Sequence, residues 1–321
     1  MDFIYIIAGL VLLFVGGEIS LRGAIALAKK LGVSPAIIGL TVIGFGTSAP
    51  ELLVTVKAAL HGQPDLAIAN VVGSNISNIL LILGVGGLIY PLVCDPKALR
   101  RDGTAMVLAM ALLTGLAMTG WIVFWQGVMM LCALVSFLVW SYYQDKKQDD
   151  AAELHEKETE EMQNVPENWL IIAAFIILGL IGLVGGANIL VIGAVNIATS
   201  FGIPESVIGL TIVALGTSLP ELAATAVAAM RRHTDVAIGN VVGSCLFNVL
   251  SILCITAMIT PLEIADDIAH IDVWVMMAAC LALGPLLLKD YKICRWDAGF
   301  LLVAYFVYIG SLAFRVPGLM G

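Results

Sequence analysis

Long apolar segments fill most of the chain, and short polar or charged stretches separate them. A membrane-spanning helix needs about 20 predominantly apolar residues, and the interruptions leave room for about ten such segments. The predicted spans cover residues 2–27, 36–58, 66–90, 103–120, 122–143, 168–197, 206–229, 236–261, 271–288 and 297–315. This pattern predicts an all-α polytopic membrane protein.

A charged segment, QDKKQDDAAELHEKETEEMQNVPEN, separates the first five predicted spans from the last five. Like charges at this density are typical of a solvated connector, although the same acidity leaves a regulatory cation site open. We therefore divide the chain into a first five-helix membrane repeat (1–143), an acidic cytoplasmic linker (144–167) and a second five-helix membrane repeat (168–321).

The two halves of the chain repeat each other. GLTVIGFGTSAPEL begins at Gly39, and GLTIVALGTSLPEL begins 170 positions later at Gly209. The match continues without a gap, since DLAIANVVGSNISNILLIL from Asp65 aligns with DVAIGNVVGSCLFNVLSIL from Asp235. Shared hydrophobicity alone would not keep the polar positions in step, so the chain is an internal duplication.

An odd number of spans in each half turns the second copy upside down in the membrane, and the distribution of basic residues tests this orientation. The lysines and arginines outside the spans concentrate in alternate connections on one side of the membrane, and the opposite side has only Lys57 and Arg315. The positive-inside rule then puts both termini outside the cytoplasm. Inverted repeats are frequent in secondary transporters, whose substrate site lies near the midplane where the repeats meet.

Composition narrows the functional classes. Hydrophobic residues make up 60% of the 321 positions and charged residues 12%, with a mean hydropathy of +1.01, which excludes an ordinary soluble domain. The six cysteines lack paired or metal-type spacing and are interpreted as small core residues. The spans contain no Ser–His, paired-Asp or HExxH arrangement. We expect neither an enzyme nor a partner of nucleic acids.

Two carboxylates stand near the centre of predicted spans, Glu51 in the first copy and Glu221 in the second. An ionised side chain at that depth costs at least ~2.5–3.5 kcal/mol. The neighbouring motifs offer no basic partner, so a bound cation is the simplest way to offset the cost. Glu18 differs because Arg22 follows four residues later, which predicts an ion pair instead.

Further oxygen atoms are expected around each glutamate. Thr47 and Ser48 precede Glu51 by four and three residues and so share its helical face. Pro50 must bend the helix, which frees backbone carbonyls from Gly44 onward to point into a cavity. The second copy repeats this arrangement with Thr217, Ser218, Glu221, Pro220 and Ala214.

The following span adds a polar stripe at positions i, i+4 and i+8, formed by Asn70, Ser74 and Asn78. The second copy repeats the stripe with Asn240, Ser244 and Asn248. Each hydroxyl or amide taken alone could serve only to hydrogen-bond a neighbouring helix. Together they form an all-oxygen set, which suits hard cations such as Ca²⁺ and Na⁺ better than zinc or copper.

The paired GTSxPE segments and the paired GNVVGS-like segments resemble those of the sodium/calcium exchanger family, of the prokaryotic type. The resemblance implies ion sites formed by the second, third, seventh and eighth helices, no cofactor, and a location in the prokaryotic inner (plasma) membrane. It implies Glu51 and Glu221 as the central ligands. The implied remainder of the set is Ser48, Ser218, Thr47, Thr217, Ser74, Ser244, Asn78 and Asn248, with the carbonyls of Gly44 and Ala214.

Two departures from this pattern bear on the ion set. Some relatives, including the potassium-dependent branch, carry an aspartate where this chain has Asn248, so the resemblance implies exchange that does not depend on K⁺. Cys245 stands where the first copy has Asn75, so the two halves of the site need not be equivalent.

These observations predict a secondary antiporter that exchanges Na⁺ for Ca²⁺ by alternating access. The glycine-containing first and sixth spans are the candidate pair that slides to switch access. An H⁺/Ca²⁺ exchanger using the same two glutamates is the alternative, and an ion channel is a rival from another class. The expected partners are Ca²⁺, Na⁺ and the lipid bilayer, and the oligomeric state is unknown.

Overall fold

The computed structural model describes residues 2–146, 166–201 and 214–315 of the chain, and these are helical over most of their length. Most of the predicted linker and the first part of the predicted seventh span lie outside the described residues. The first half contains α1 (Asp2–Leu31), α2 (Pro35–Ile38), α3 (Gly44–Thr47), α4 (Ala49–Leu60), α5 (Pro64–Ser77), α6 (Leu83–Ile89), α7 (Pro96–Ala117) and α8 (Phe124–Lys146).

The second half contains α9 (Trp169–Ser200), α10 (Ala214–Thr217), α11 (Leu219–Met230), α12 (Thr234–Phe247), α13 (Leu253–Ile259), α14 (Val273–Asp290) and α15 (Arg295–Arg315). Wide π-helical turns join α2 to α3, α5 to α6 and α12 to α13 without a break in the chain, and a fourth directly precedes α14. They cover Gly39–Ile43, Asn78–Ile82, Asn248–Ile252 and Ile268–Asp272. From α3 to α6 and from α10 to α13 the two halves show the same elements in the same order.

Several of these helices meet the length and hydropathy of a membrane span. Among the described residues, five helices qualify by these criteria, and the pair Pro35–Thr47 and Ala49–Leu60, bent by 43°, makes a sixth if it is one span. The chain is therefore an all-α polytopic membrane protein. The full number of ten spans, their grouping into inverted repeats and the domain boundaries stay predictions.

The fourth predicted span, 103–120, begins too late. Helix α7 starts at Pro96, seven residues earlier, because Asp95 caps it: the carboxylate accepts hydrogen bonds from the backbone N–H groups of Lys97 (3.3 Å) and Ala98 (3.0 Å). The first turns of α7 are charged and so carry no hydropathy signal. Hydropathy locates the apolar part of a helix, whereas capping sets where the helix begins.

Four short strands form two pairs, and each pair contains one strand from each half of the chain. Strand β1 (Leu92–Val93) pairs with β4 (Lys292–Ile293), and β2 (Trp121–Ile122) pairs with β3 (Leu262–Glu263), both antiparallel. Each pair joins a connection of one half to a connection of the other half. Paired strands must lie at the same end of the bundle, so the basic connection after α6 lies beside the basic connection before α15. The predicted orientation requires this neighbourhood.

Helices α1 and α9 pack with their backbones in contact. A Cβ added at Gly16 would lie 2.6 Å from the backbone nitrogen of Leu183, and one added at Gly179 would lie 2.5 Å from that of Ser20. Apart from α8, these two helices are the least buried of the five long helices that qualify as spans. Of the residues in an 18-residue apolar stretch, 33% are buried in α1 and 28% in α9, compared with 83% in Thr234–Ile259. The glycine-rich first and sixth predicted spans are thus in direct contact at the outside of the bundle.

The expected ion pair on α1 is present. The Arg22 guanidinium lies 2.9 Å from the Glu18 carboxylate, and Arg231, which follows α11, adds a second contact at 2.8 Å. Glu18 is therefore neutralised by basic side chains, unlike the two glutamates of the repeated motif.

Candidate functional site

The repeated GTSxPE motif forms a break in the helix. Helix α3 ends at Thr47, Ser48 leaves helical geometry (φ −81°, ψ 7°), and α4 starts at Ala49 with Pro50 in its first turn. Ser218 makes the same break between α10 and α11 (φ −89°, ψ 3°). The predicted bend at Pro50 is confirmed. Each glutamate consequently sits in the first turn of a new helix, where free N–H groups and the helix dipole favour negative charge.

Each of the two serines binds the glutamate of the other copy. The Ser48 hydroxyl donates to Glu221 Oε1 at 3.0 Å, and the Ser218 hydroxyl donates to Glu51 Oε1 at 3.4 Å. Helical spacing predicted that each serine shares a face with the glutamate of its own copy, whereas the hydrogen bonds join each serine to the glutamate of the other copy. The spacing rule fails because the serine is the residue at which the helix breaks. The exchange of partners shows that the two motifs face each other.

The second oxygen of each carboxylate lacks a hydrogen-bond partner in the described part of the chain. Glu51 and Glu221 are each 1% exposed, and their Oε2 atoms make no hydrogen bond among the described residues. The two carboxylates also lie close enough to repel each other electrostatically. No described basic side chain forms a salt bridge with either. Two buried acids facing each other in this way call for positive charge between them.

Asparagines from the neighbouring helices brace the two glutamate-bearing helices. The Asn70 side-chain amide donates to Thr55 Oγ1 (2.9 Å) and to the backbone carbonyl of Glu51 (3.4 Å). In the second copy Asn240 donates to Thr225 Oγ1 (3.0 Å) and to the Glu221 carbonyl (3.3 Å). Neither threonine was predicted from the sequence as part of the site. Each lies four residues after a glutamate, on the same helical face, and this spacing could have indicated its place there.

The backbone of the first copy's broken helix lies against α12. The Gly44 carbonyl accepts from the Ser48 N–H (3.3 Å) and from the Ser244 hydroxyl (3.4 Å). The Thr47 hydroxyl donates to the Ile43 carbonyl (3.0 Å) and lies 3.3 Å from Asn240 Oδ1. The carbonyl of Gly44, predicted to be freed by the bend, is therefore held by hydroxyls at the interface between the two halves.

Two further asparagines supply acceptors without partners. Asn78 and Asn248 each begin a π-helical turn and are each 1% exposed. Their Oδ1 atoms accept no hydrogen bond among the described residues. A buried unsatisfied acceptor costs about 1–3 kcal/mol. The carboxylate and asparagine oxygens are thus unsatisfied at matching positions of the two copies in the described part of the chain, and a cation would satisfy them.

The other predicted ligands lie on the same elements. Ser74 on α5 and Ser244 on α12 are buried, and the Thr217 side chain, partly exposed, interacts with the Glu51 carboxylate. Ala214 is the first residue of α10, directly after the part of the chain outside the described residues. Cys245 is fully buried, and its thiol contacts the Asn78 side chain, so the predicted departure from the repeat borders the site.

The arrangement is a buried set of oxygen atoms with two formal negative charges. Carboxylates, hydroxyls and amide carbonyls are the ligands of Ca²⁺ and of other hard cations. In the described residues no group of three His, Cys, Asp or Glu side chains is placed to hold a metal ion. The geometry thus supplies few charges and many neutral oxygens.

Known proteins share both the sequence and the fold. The sequence profile described as sodium/calcium exchanger protein matches residues 1–143 and 171–314. The chain is 36% identical to the inner membrane protein YrbG of Escherichia coli over 83% of this chain and 82% of that protein. It is 30% identical to the sodium/calcium exchanger MaX1 of Methanosarcina acetivorans over 96% of this chain and 97% of that protein.

A solved structure agrees over the same length. A structure of the sodium-calcium exchanger NCX_Mj, soaked with 10 mM Na⁺ and 10 mM Sr²⁺, superposes with a TM-score of 0.83 at 30% identity, covering 97% of this chain and 98% of that chain. The family exchanges Na⁺ and Ca²⁺, and a cation/Ca²⁺ antiporter accounts for a buried oxygen site made by two mirrored motifs. The chain belongs to the sodium/calcium exchanger family.

Proposed function

We propose that the protein exchanges Na⁺ for Ca²⁺ across the membrane without a requirement for K⁺, and that Glu51 and Glu221 are the shared ligands of both ions. One observation carries the proposal. Two buried carboxylates, each in the first turn of a helix, face each other across the repeat interface, and one oxygen of each has no partner among residues 2–146, 166–201 and 214–315. Transport rather than enzymatic catalysis is the activity that such a site serves.

Charge balance makes the two ions compete. One Ca²⁺ neutralises two carboxylates, and two Na⁺ ions do the same. Because the ligands beyond the glutamates are neutral, either load fills the site without leaving a large net charge in the membrane. An empty site keeps two unneutralised acids in a buried environment. A cavity that changes its opening only when loaded couples the inward movement of Na⁺ to the outward movement of Ca²⁺.

Helices α1 and α9 are the elements that we propose to move. Their glycine contacts present smooth backbone surfaces, and both helices lie at the outside of the bundle, where displacement disturbs few buried contacts. The core helices carrying the site are held across the repeat interface by the exchanged serine bonds. Sliding of the outer pair along a fixed core alternates access to the two sides.

Asn248 supports independence from K⁺. It begins a π-helical turn beside the site and contributes a neutral amide oxygen. A carboxylate at this position would add a third negative charge, for which an extra monovalent cation is the natural partner. The neutral side chain removes that demand.

An H⁺/Ca²⁺ exchanger is the alternative, since protons can neutralise buried carboxylates in place of Na⁺. The neutral acceptors favour Na⁺ here. A carboxylic acid needs one acceptor for its proton, whereas Na⁺ needs several oxygen ligands. Asn78 and Asn248 each have an amide oxygen that accepts no hydrogen bond from the residues that the structure describes.

A vesicle assay distinguishes the Na⁺/Ca²⁺ exchanger from the H⁺/Ca²⁺ exchanger and from a channel. Vesicles loaded with Na⁺ and diluted into Na⁺-free medium should take up radioactive Ca²⁺, and the uptake should be unchanged when K⁺ is replaced by choline. Uptake driven by a pH gradient alone would assign the protein to the H⁺-coupled alternative. Ca²⁺ entry without any counter-gradient would indicate a channel.

We also propose the predicted placement, the prokaryotic inner membrane with both termini outside the cytoplasm. The relative YrbG is named an inner membrane protein. The paired strands place basic connections together at one end of the bundle, as the positive-inside rule requires. A cysteine introduced at Gln63 should react with a membrane-impermeant maleimide in intact cells, because Gln63 lies in the exposed connection between the second and third predicted spans, on the same predicted side as both termini.

A further inference from the structure

An apolar cavity lies outside the cation site, between α7, α12 and α14. Its volume is about 280 Å³, close to the lower end of the roughly 300–1,000 Å³ range of small-molecule sites. Its wall is made mainly of leucine, isoleucine, valine and methionine side chains. Such a wall excludes hydrated ions, so the cavity is not a second cation site. It fits a hydrocarbon chain.

One end of the cavity is charged. Arg100, in the first turns of α7, lines the cavity together with Leu99, and its side chain is exposed. The guanidinium donates to the Tyr291 hydroxyl at 3.3 Å, a neutral partner, and no described carboxylate lies within salt-bridge distance of it. Its positive charge therefore remains available to an anion at the mouth of the cavity.

The geometry matches a phospholipid rather than a compact solute. Along α7 the lining runs from Arg100 to Val107, which is about 10 Å of helix. The charged end lies beside the connections predicted to face the cytoplasm, and the apolar part extends toward the predicted membrane interior. We propose that this cavity binds an anionic phospholipid, with the phosphate at Arg100 and an acyl chain among α7, α12 and α14. Basic pockets between helices on the cytoplasmic side are known to hold such headgroups.

The cavity also adjoins the cation site through α12. Ile238 and Val242 line the cavity, while Asn240 and Ser244 of the same helix face the site. On the far wall, Cys280 lies next to Cys245, whose thiol contacts Asn78. An acyl chain in the cavity packs against the back of a helix that forms the candidate site.

Photo-crosslinking of the full-length protein tests the proposal. Phosphatidylglycerol and phosphatidylcholine with identical acyl chains, each carrying a diazirine near the chain end, are incorporated separately into lipid nanodiscs with the protein, and labelled peptides are mapped by mass spectrometry. We expect labelling within residues 103–107 and 280–284, stronger by about five-fold for phosphatidylglycerol. Labelling confined to other segments, or equal labelling by the two lipids, would overturn the proposal.

Two matched variants sharpen the test. Arg100→Gln should reduce phosphatidylglycerol labelling to the level of phosphatidylcholine, while Arg295→Gln, outside the cavity lining, should not. Gly103→Leu fills the cavity with a tolerable contact, since a Cβ there meets only Leu99 at 3.6 Å, and it should abolish labelling. Gly115→Leu, on the same helix with open space around it, is the control. Unchanged labelling in Gly103→Leu would contradict occupancy of the cavity.

A competition experiment identifies the source of the phosphate. Glycerol 3-phosphate carries the same anionic group without an acyl chain, and it should leave the labelling by phosphatidylglycerol unchanged at millimolar concentration. Loss of labelling in its presence would show that the site binds soluble phosphate esters and would overturn the lipid assignment.

Discussion

The two copies of the site share their asparagine and serine hydrogen bonds to the glutamate-bearing helices but differ in their packing. The Asn70 brace on α4 and the Asn240 brace on α11 have the same partners, with distances that differ by no more than about 0.1 Å. Around α12, however, the backbones are compressed: a Cβ at Gly239 would lie 2.4 Å from the Ala36 carbonyl oxygen, and the matching position of the first copy is Ala69. The chemistry of the site is duplicated, whereas the surrounding contacts are not.

This difference is what alternating access requires. An inverted repeat opens to one side when its two halves adopt different conformations, and exchange of those conformations opens it to the other side. The two carboxylates together form one site. The unequal packing around them allows the protein to open that site toward one side of the membrane at a time. Substitutions at equivalent positions of the two copies can show whether the ligands act equivalently although their surroundings differ.

The largest effect is expected from the glutamates. Glu51→Gln and Glu221→Gln should each abolish Na⁺-driven Ca²⁺ uptake in vesicles, because one remaining carboxylate cannot neutralise Ca²⁺. Glu18→Gln, which alters a carboxylate already paired with Arg22 and Arg231, is the control and should retain transport. Wild-type uptake by either glutamine variant at a normal level of inserted protein would refute the role of that residue.

The serines come next and test the symmetry directly. Ser48→Ala and Ser218→Ala each remove a hydrogen bond to a buried carboxylate, a change of about 1.5–3 kcal/mol, or about 10- to 100-fold in apparent Ca²⁺ affinity. The effect should be larger for Ser48→Ala, whose bond is 3.0 Å rather than 3.4 Å. Concentration dependence of Ca²⁺ uptake measures it. A loss in one variant and none in the other would show that the copies are chemically unequal.

A third change tests the neutral asparagine. Asn248→Asp adds a third carboxylate to the site, and K⁺ should then stimulate Ca²⁺ uptake several-fold, since another monovalent cation is needed for charge balance. Uptake at fixed Na⁺ with and without K⁺ measures the effect. Asn78→Asp, the mirrored variant, shows whether the response belongs to one copy. Unchanged, K⁺-independent uptake by Asn248→Asp would contradict the explanation given for Asn248.

The smallest effect is expected at Cys245. Cys245→Asn restores the residue of the first copy, where Asn75 donates to the Val71 carbonyl at 2.9 Å. Because the thiol is not among the proposed ligands and the first copy accommodates an asparagine at this position, we expect Ca²⁺ uptake within about two-fold of wild type at a normal level of inserted protein. Cys132→Asn, at an exposed cysteine, is the control. A ten-fold loss at Cys245 alone would make this residue part of the ion site.

Features set by local chemistry were predictable from the sequence. Pro50 predicted the bend in the second span, Glu18 and Arg22 predicted their ion pair, and the repeat predicted equivalent elements in the two halves. These features depend on residues a few positions apart or on an internal copy. The start of α7 was predicted wrongly because capping by Asp95 has no hydropathy signal.

The cross-copy contacts were not predictable. Ser48 binds Glu221 because the two halves face each other, and a spacing rule within one helix carries no information on that arrangement. The π-helical turn at Asn78 was missed for a related reason: it depends on how the helix packs rather than on a characteristic residue. The sequence thus identified both glutamates as candidate ligands, but not how their neighbours are exchanged.

Equilibrium Ca²⁺ binding to the purified protein, titrated with Na⁺, tests the shared site most directly. If both ions use Glu51 and Glu221, bound Ca²⁺ should be displaced completely and with a Hill coefficient above one, and the double variant Glu51→Gln/Glu221→Gln should bind neither ion. Simultaneous saturation with both ions, or Ca²⁺ binding that survives in the double variant, would contradict competition for one pair of carboxylates.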